Sequence, residues 1–185
     1  MDWGPVLMTE TASIYDALTA LAITTHRVVN SRTIPGRVDV ELDRDTWKEL
    51  DGHALGYLRL FGVRSQPKSG FRTNLIVVLT RVIVDNGIDL AVLGEHAFTE
   101  ARRLPHWHEE QATKWPAARP HSGWSVQSGT YTDDGVPLYS ITQYAIYQRA
   151  NVGYLLQATG TTTVADRPRF GPVLDKVVPG VNFEG

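Results

Sequence analysis

The chain is most apolar over residues 75–84, which read LIVVLTRVIV. The first five positions, Leu75 to Leu79, are all apolar, so a strand built from this run presents apolar side chains on both of its faces. Thr80 and Arg81 interrupt the run, which is also far shorter than the roughly 20 residues needed to cross a bilayer. We therefore predict a central β-strand here, covered by helices, and no transmembrane segment.

Two shorter strand patterns precede this central run. Val38, Val40 and Leu42 alternate with charged residues, which is the period of two that hides one face of a strand. Residues 55–61 are rich in apolar and aromatic side chains, and the turn-forming segment 65–70 separates them from the central run. These patterns predict three strands, and the last two of them form a hairpin or a meander.

Three further strands are predicted in the second half of the chain. The first starts near Trp124 and ends at the turn before Gly135. Residues 138–147 and 153–164 follow as two more apolar and aromatic runs. Because short turns join the three runs, we expect three consecutive antiparallel strands.

Helix signals occur at the beginning, middle and end of the chain. Ser13, followed by Asp16 three positions later, is a side-chain arrangement that caps the first turn of a short helix. Residues 89–104 carry apolar side chains at 3.6-residue spacing after the capping residue Asp89, and they predict the principal helix. Residues 170–178 form a final short amphipathic helix.

The order of these elements indicates the fold class. Strands grouped in runs between helices are typical of an α+β domain with an antiparallel sheet, here of about six strands covered by helices. A chain of 185 residues is long enough for one full-sized core, so residues 9–185 are predicted to be a single domain. Residues 1–8 show no periodicity and are predicted to be a disordered lead-in.

Four segments resemble the actinobacterial LpqN/LpqT family of lipoprotein-like proteins. They are the helix start SIYDAL with the run LAITTHRV behind it, the stretch FRTNLIVV, the GTY before the Asp-Gly turn, and the closing VLDKVV, within residues 13–28, 71–78, 129–135 and 173–178. The resemblance implies a PsbP-like α/β/α sandwich and a non-enzymatic protein associated with the cell envelope. The chain has no lipobox cysteine and no signal peptide, so as written we expect a cytoplasmic protein. An upstream start would make it exported or envelope-associated.

Composition excludes several classes of function. With 18 basic and 20 acidic residues, the chain lacks the excess positive charge that gathers nucleic acid. It contains no cysteine, which removes thiol catalysis and thiolate metal sites. We find no nucleophile elbow and no glycine-rich phosphate loop, so the sequence predicts neither an enzyme nor a cofactor.

The tryptophans and tyrosines of the second half are the candidate binding residues. Trp107, Trp115 and Trp124 lie close together in sequence, in a stretch that we predict to be a proline-bounded loop. Their rings either anchor a protein partner or cover the edge of the core. Tyr144 and Tyr147 lie on a predicted strand, where aromatic residues serve as cross-strand partners or line a pocket.

The histidines of the same stretch are the weak candidates for a metal site. His106 and His108 are one residue apart, and His121 would complete a set only if the loop folded back. We therefore expect no metal and ordinary histidines in a solvated loop. The sequence as a whole predicts a non-catalytic binding or adaptor protein that acts on an unidentified protein partner. The alternative is a small carrier or enzyme with an aromatic pocket for an apolar, lipid-like ligand.

Overall fold

The computed structural model describes residues 12–66, 70–115 and 123–185. Helices and strands follow one another along these residues as α1 (Ile14–Leu21), β1 (Ala22–Val28), β2 (Arg37–Asp39), β3 (Trp47–Leu50), β4 (Arg59–Val63), β5 (Asn74–Val84), β6 (His108–Trp115), β7 (Gly123–Asp133), β8 (Val136–Arg149), β9 (Val152–Thr163), α2 (Arg167–Val177) and β10 (Asn182–Glu184).

Within the described residues, eight strands form one antiparallel sheet. Seven of them lie in the order β3-β4-β5-β9-β8-β7-β6. β4 and β1 pair with successive stretches of the same edge of β5, and β9 pairs with its other edge. β10 and β2 form a separate two-stranded ladder, which carries the end of the chain back over the sheet.

Each face of the sheet carries its own hydrophobic core, because side chains alternate along every strand. On the α2 face, Leu79 of β5 belongs to the same buried cluster as Leu174 of α2. On the α1 face, Val82 of β5 belongs to a second buried cluster with Leu18 of α1 and Leu90. The predicted central strand is therefore covered on both sides, as its apolar sequence requires.

A glycine on β9 sets how closely α2 approaches the sheet. A Cβ at Gly160 would lie 2.7 Å from Cδ2 of Leu174 and 3.0 Å from Cγ2 of Val178. A methyl group at this position would displace the side chains of Leu174 and Val178. Gly160 thus leaves room for these two side chains against β9.

The α+β prediction is confirmed, and so are most of its elements. The capping box of Ser13 and Asp16 begins α1 as predicted, and β5, β7, β8, β9 and α2 overlap closely with their predicted ranges. The strand predicted at residues 55–61 is shifted to Arg59–Val63, because His53–Leu55 form a 3-10 helix. The sheet has two more strands than the six predicted. The strand predicted at residues 38–42 is shorter, and β2 pairs with β10 outside the main sheet.

The principal helix predicted at residues 89–104 is wrong. The segment forms a 3-10 helix, Leu90–His96, a turn, and a second 3-10 helix, Ala101–Arg103. Asp89 caps it as predicted, by accepting a hydrogen bond from the backbone of Ala91. The buried residues Leu90, Leu93 and His96 recur every three positions, which is the period of a 3-10 helix. We call residues 90–104 the 3-10 arm.

Two further expectations concern the ends of the molecule and the membrane. The predicted lead-in at residues 1–8 lies outside the described residues. None of the described helices has the length and apolar character needed to cross a membrane.

Candidate functional site

A polar groove crosses the α1 face of the sheet, between the 3-10 arm and α1. It has two adjoining lobes. The Trp107 lobe has a volume of about 190 Å³ and the Tyr15 lobe about 320 Å³. Glu100, Gln157 and Thr159 line both lobes, so the two lobes adjoin along these three residues.

β8 and β9 contribute hydroxyl and amide side chains to the floor of the groove, and Ile76 and Val78 of β5 add apolar surface in the Tyr15 lobe. Thr142 and Thr159 face each other across the two strands with their Oγ1 atoms 3.0 Å apart. Gln157 donates from Nε2 to Thr159 Oγ1 at 3.3 Å and accepts from the Tyr15 hydroxyl at 2.8 Å. The polar side chains of the floor therefore hold one another in fixed positions. The remaining polar residues of the floor are Ser140 and Thr161.

Tyr144 and Glu100 join the floor to the 3-10 arm. The hydroxyl of Tyr144 donates a short hydrogen bond to Oε2 of Glu100. Burial, together with the neighbouring Glu100 charge, raises the pKa of Tyr144 well above its usual value of 10.0. Burial likewise raises the pKa of Tyr15 to about 12. Both phenols are therefore protonated hydrogen-bond donors at neutral pH.

Trp107 closes one end of the groove. Its ring packs on Gly129 of β7, since a Cβ at Gly129 would lie 2.7 Å from Cζ2 of the indole. Beside it, Gln127 donates to Glu109 Oε2 at 2.7 Å, and Arg102 forms two hydrogen bonds of 2.8 Å with the same carboxylate. The hydrogen bond from Arg102 lowers the pKa of Glu109. This network holds the 3-10 arm against β6 and β7.

The chemistry of the lining suits binding. Arg27 and Glu100 are the charged residues of the groove, so their formal charges offset each other. Among the described lining residues there is no histidine, cysteine or lysine. The hydroxyl groups of Ser140 and Thr142 lie 3.5 Å and 3.0 Å from the hydroxyl groups of Thr161 and Thr159 on the neighbouring strand.

Trp115 and Trp124 lie on the other face of the sheet from Trp107. They are cross-strand partners on β6 and β7, with ring centroids 3.9 Å apart, and Trp124 packs against the core of the α2 face. The predicted loop is wrong here, because residues 108–115 form the edge strand β6. The three tryptophans therefore do not form one surface. Trp115 is 40% exposed, and a role for this pair in binding a protein partner stays a prediction.

The two candidate tyrosines also separate onto opposite faces. Tyr144 lines the polar groove. Tyr147 is buried on the α2 face, where its hydroxyl oxygen accepts a hydrogen bond from the backbone of Phe183 at 3.0 Å. They are three positions apart on β8, and a strand places residues an odd number apart on opposite faces.

The histidines do not form a metal centre with other described residues. His106 and His108 are both exposed, and the described residues contain no group of three or more histidine, cysteine or acidic side chains that could hold a metal ion. His121 lies outside the described residues.

Most residues of the groove have no sequence signal of a binding site. The sequence predicts Glu100 as part of a helix, and Gln157 and Thr159 as strand residues. One signal was present: residues 159–163 read TGTTT, and such a run of small polar residues in a central strand leaves room and hydroxyl groups above the sheet. Thr142, opposite Thr159 in the neighbouring strand, completes the pattern.

The fold and the groove define an α+β protein with an eight-stranded antiparallel sheet, cores on both faces and an open site lined by many polar residues. Its structure is similar to the crystal structure of LpqN, described as involved in cell envelope biogenesis of Mycobacterium tuberculosis. The TM-score is 0.77 at 13% sequence identity, over 94% of this chain and 98% of LpqN. At this identity the likeness establishes the fold.

Neither a second solved structure nor the curated protein sequences indicate a function for this chain. A Pseudomonas aeruginosa protein of unknown function is similar over 63% of this chain and 76% of its own, with a TM-score of 0.42 and 18% identity. No protein-family profile and no curated protein sequence matches the chain.

Proposed function

We propose that this protein is a non-catalytic binding protein whose polar groove holds a small, uncharged molecule with several hydroxyl groups. The observation that carries the proposal is the shared floor of the two lobes, where Glu100, Gln157 and Thr159 belong to both. A ligand with hydroxyl groups donates to and accepts from such a floor, and it satisfies polar atoms that would otherwise hold water.

The neutral character of the proposed ligand follows from the charges of the groove. Arg27 and Glu100 offset each other, so a ligand of either net charge would lose hydration without a matching excess of opposite charge. The indole of Trp107 and the rings of Tyr15 and Tyr131 provide flat apolar walls for the carbon skeleton between the hydroxyls.

The absence of catalysis is part of the proposal. Histidine, lysine and cysteine do not occur among the described lining residues, and the raised pKa of Tyr144 makes its phenolate a minor species. Incubation with p-nitrophenyl esters and glycosides tests this. We expect release of nitrophenol at the uncatalysed rate, and turnover that disappears in Glu100→Gln would contradict the proposal.

The site is tested by nuclear magnetic resonance titration with myo-inositol, sorbitol and decanoate. We expect the first two probes to shift the indole N–H signal of Trp107 in a saturable manner, and decanoate to leave it in place. Thr142→Val removes one hydroxyl of the floor at nearly constant shape and should weaken polyol binding. Thr113→Val, on the edge strand β6, is the matched control and should bind as the wild type does.

Two results would contradict the ligand proposal. Saturable shifts of the Trp107 signal with decanoate alone would show that the groove prefers an apolar ligand. Polyol shifts that are equal in wild type and in Thr142→Val combined with Glu100→Gln would show that the probes bind elsewhere.

An envelope-associated role is the second part of the proposal. This role is supported by the fold shared with LpqN and by the sequence resemblance described above. It favours an exported or envelope-associated location over the cytoplasm. Fractionation of cells that express the natural gene with a C-terminal tag tests the location. Recovery in the envelope or periplasmic fraction is expected, and recovery with cytosolic markers would contradict it.

A further inference from the structure

A second, larger cavity lies on the α2 face, where β8 turns into β9 beneath the C-terminal strand β10. Its volume is about 740 Å³, within the roughly 300 to 1,000 Å³ of sites that bind small molecules. Three aromatic rings line it, those of Tyr147, Tyr154 and Phe183. We call it the ring cavity.

The rings of this cavity are held in place before any ligand arrives. Phe183 packs edge-to-face on Tyr147 with ring centroids 5.4 Å apart, and it lies 4.7 Å from the ring of Tyr154. The backbone of Phe183 also donates a 3.0 Å hydrogen bond to the Tyr147 hydroxyl, in a buried position. A preformed apolar wall binds ligands at a small entropic cost, because little of it has to be ordered.

Among the described residues, the cavity lining contains one cationic side chain, Arg149, and one acidic side chain, Glu184. The Glu184 carboxylate lies 3.0 Å from the Arg37 guanidinium, which also forms a 2.9 Å ion pair with Asp39. The side chain of Arg149 forms no ion pair or hydrogen bond with any other described residue. Its guanidinium is therefore available to an anionic group.

We propose that the ring cavity binds a small apolar molecule that carries one anionic group, with its apolar body against the rings and its anion at Arg149. This function goes beyond that of the polar groove, because the two sites lie on opposite faces of the sheet and share no residue. Short acyl carboxylates and aromatic carboxylates both combine an apolar body with one anionic group. Competition binding experiments distinguish between these two classes of ligand.

Fluorescence titration with 8-anilino-1-naphthalenesulfonate tests the site, because this probe is an aromatic monoanion that becomes bright in apolar surroundings. N-phenyl-1-naphthylamine, the same ring system without the sulfonate, is the matched uncharged probe. We expect one bound sulfonate probe per chain, with higher affinity than that of the amine. Displacement by decanoate but not by 2-naphthoate would assign the natural ligand to acyl anions, and the reverse would assign it to aromatic ones.

Three variants locate the site. Val152→Phe places a ring in the cavity from β9 and should weaken binding of the sulfonate probe by more than about tenfold. Val92→Phe, at an exposed position on the 3-10 arm, is its control and should bind normally. Arg149→Gln should weaken binding of the sulfonate probe by about fivefold and leave the amine unchanged.

The variants also define what would overturn the proposal. Val152→Leu is the milder filling variant if Val152→Phe loses its cooperative unfolding transition, and it should weaken binding in the same direction. Sulfonate binding that is unaffected by both fillings, or absent from the wild type, would overturn the site. If Arg149→Gln weakened the binding of both probes equally, the preference for an anionic ligand would be overturned. Glu100→Gln in the polar groove should leave both probes unaffected, so failure here is distinguishable from failure of the groove proposal.

Discussion

The hydroxyl of Tyr144, on the central sheet, donates a hydrogen bond to the carboxylate of Glu100, on the 3-10 arm. This contact spans the place where the two lobes of the polar groove meet, since Glu100 lines both. It also fixes the position of the arm, whose 3-10 turns contain fewer hydrogen bonds of good geometry than an α-helix would. The Tyr144–Glu100 pair is therefore a structural support and a boundary of the site.

Removing the hydroxyl of Tyr144 tests how much the Tyr144–Glu100 hydrogen bond stabilises the protein. Tyr144→Phe leaves the Glu100 carboxylate without its donor, so we expect the free energy of unfolding to fall by about 1 to 3 kcal/mol. Tyr57→Phe is the control, because Tyr57 lines the same groove and its hydroxyl forms no hydrogen bond with a described residue. Its effect should stay within about 0.5 kcal/mol. Urea unfolding measures both, and equal losses would contradict the assigned role.

A substitution at Gly129 tests the packing of the Trp107 ring on β7. In Gly129→Ala the new methyl group would lie 2.4 Å from the carbonyl oxygen of His108 and 2.7 Å from the Trp107 ring. We expect a loss of about 1 to 3 kcal/mol and a shift in tryptophan fluorescence, because the backbone or the ring has to move. Gly94→Ala, where a methyl group meets open space, should cause neither change. Thermal unfolding followed by fluorescence compares them.

Hydrogen exchange tests the order of the sheet. β9 pairs with β5 on one side and with β8 on the other, so amides such as that of Leu156 should exchange only on global unfolding. β6 pairs with β7 alone and is largely exposed. We expect its amides to open with a free energy lower by about 3 kcal/mol. Equal protection of β6 and β9 would show that something covers this edge.

Acid tests the ion pair that ties α2 to the edge of the sheet. Arg167 donates to both oxygens of Glu110, and this hydrogen bonding lowers the pKa of Glu110 below its usual 4.5. A folded-state pKa below the unfolded one means that the pair stabilises the protein above about pH 4.5 and that this stabilisation is lost as the pH falls through the lower, folded value.

The measurement is urea unfolding between pH 7 and pH 3. The free energy of unfolding should decline less steeply with acid in Glu110→Gln than in the wild type, because the amide has no proton to gain. Glu41→Gln, at an exposed residue without an ion pair to the described residues, should decline as the wild type does. Identical slopes for wild type and Glu110→Gln would contradict the assigned contribution of the pair.

The elements that the sequence predicted well are those whose burial leaves a periodic pattern. β5 is apolar on both faces, and the capping box at Ser13 starts α1 by purely local hydrogen bonds. The missed strands have no such pattern. β1 is exposed at five of its seven positions, and β6 is an edge strand of mostly polar residues. Their pairing partners, rather than their own side chains, determine that they are strands.

The sequence by itself determined the fold class, the central strand and the residue types available for binding, because burial period, turn chemistry and composition are properties of neighbouring residues. The tertiary structure alone decided which of those residues meet. It placed Trp107 and Tyr144 on one face and Trp115, Trp124 and Tyr147 on the other, and it brought Glu100 to Tyr144 from 44 residues away. The face that a strand residue occupies depends on the register and parity of its strand within the sheet, and long-range pairing sets that register.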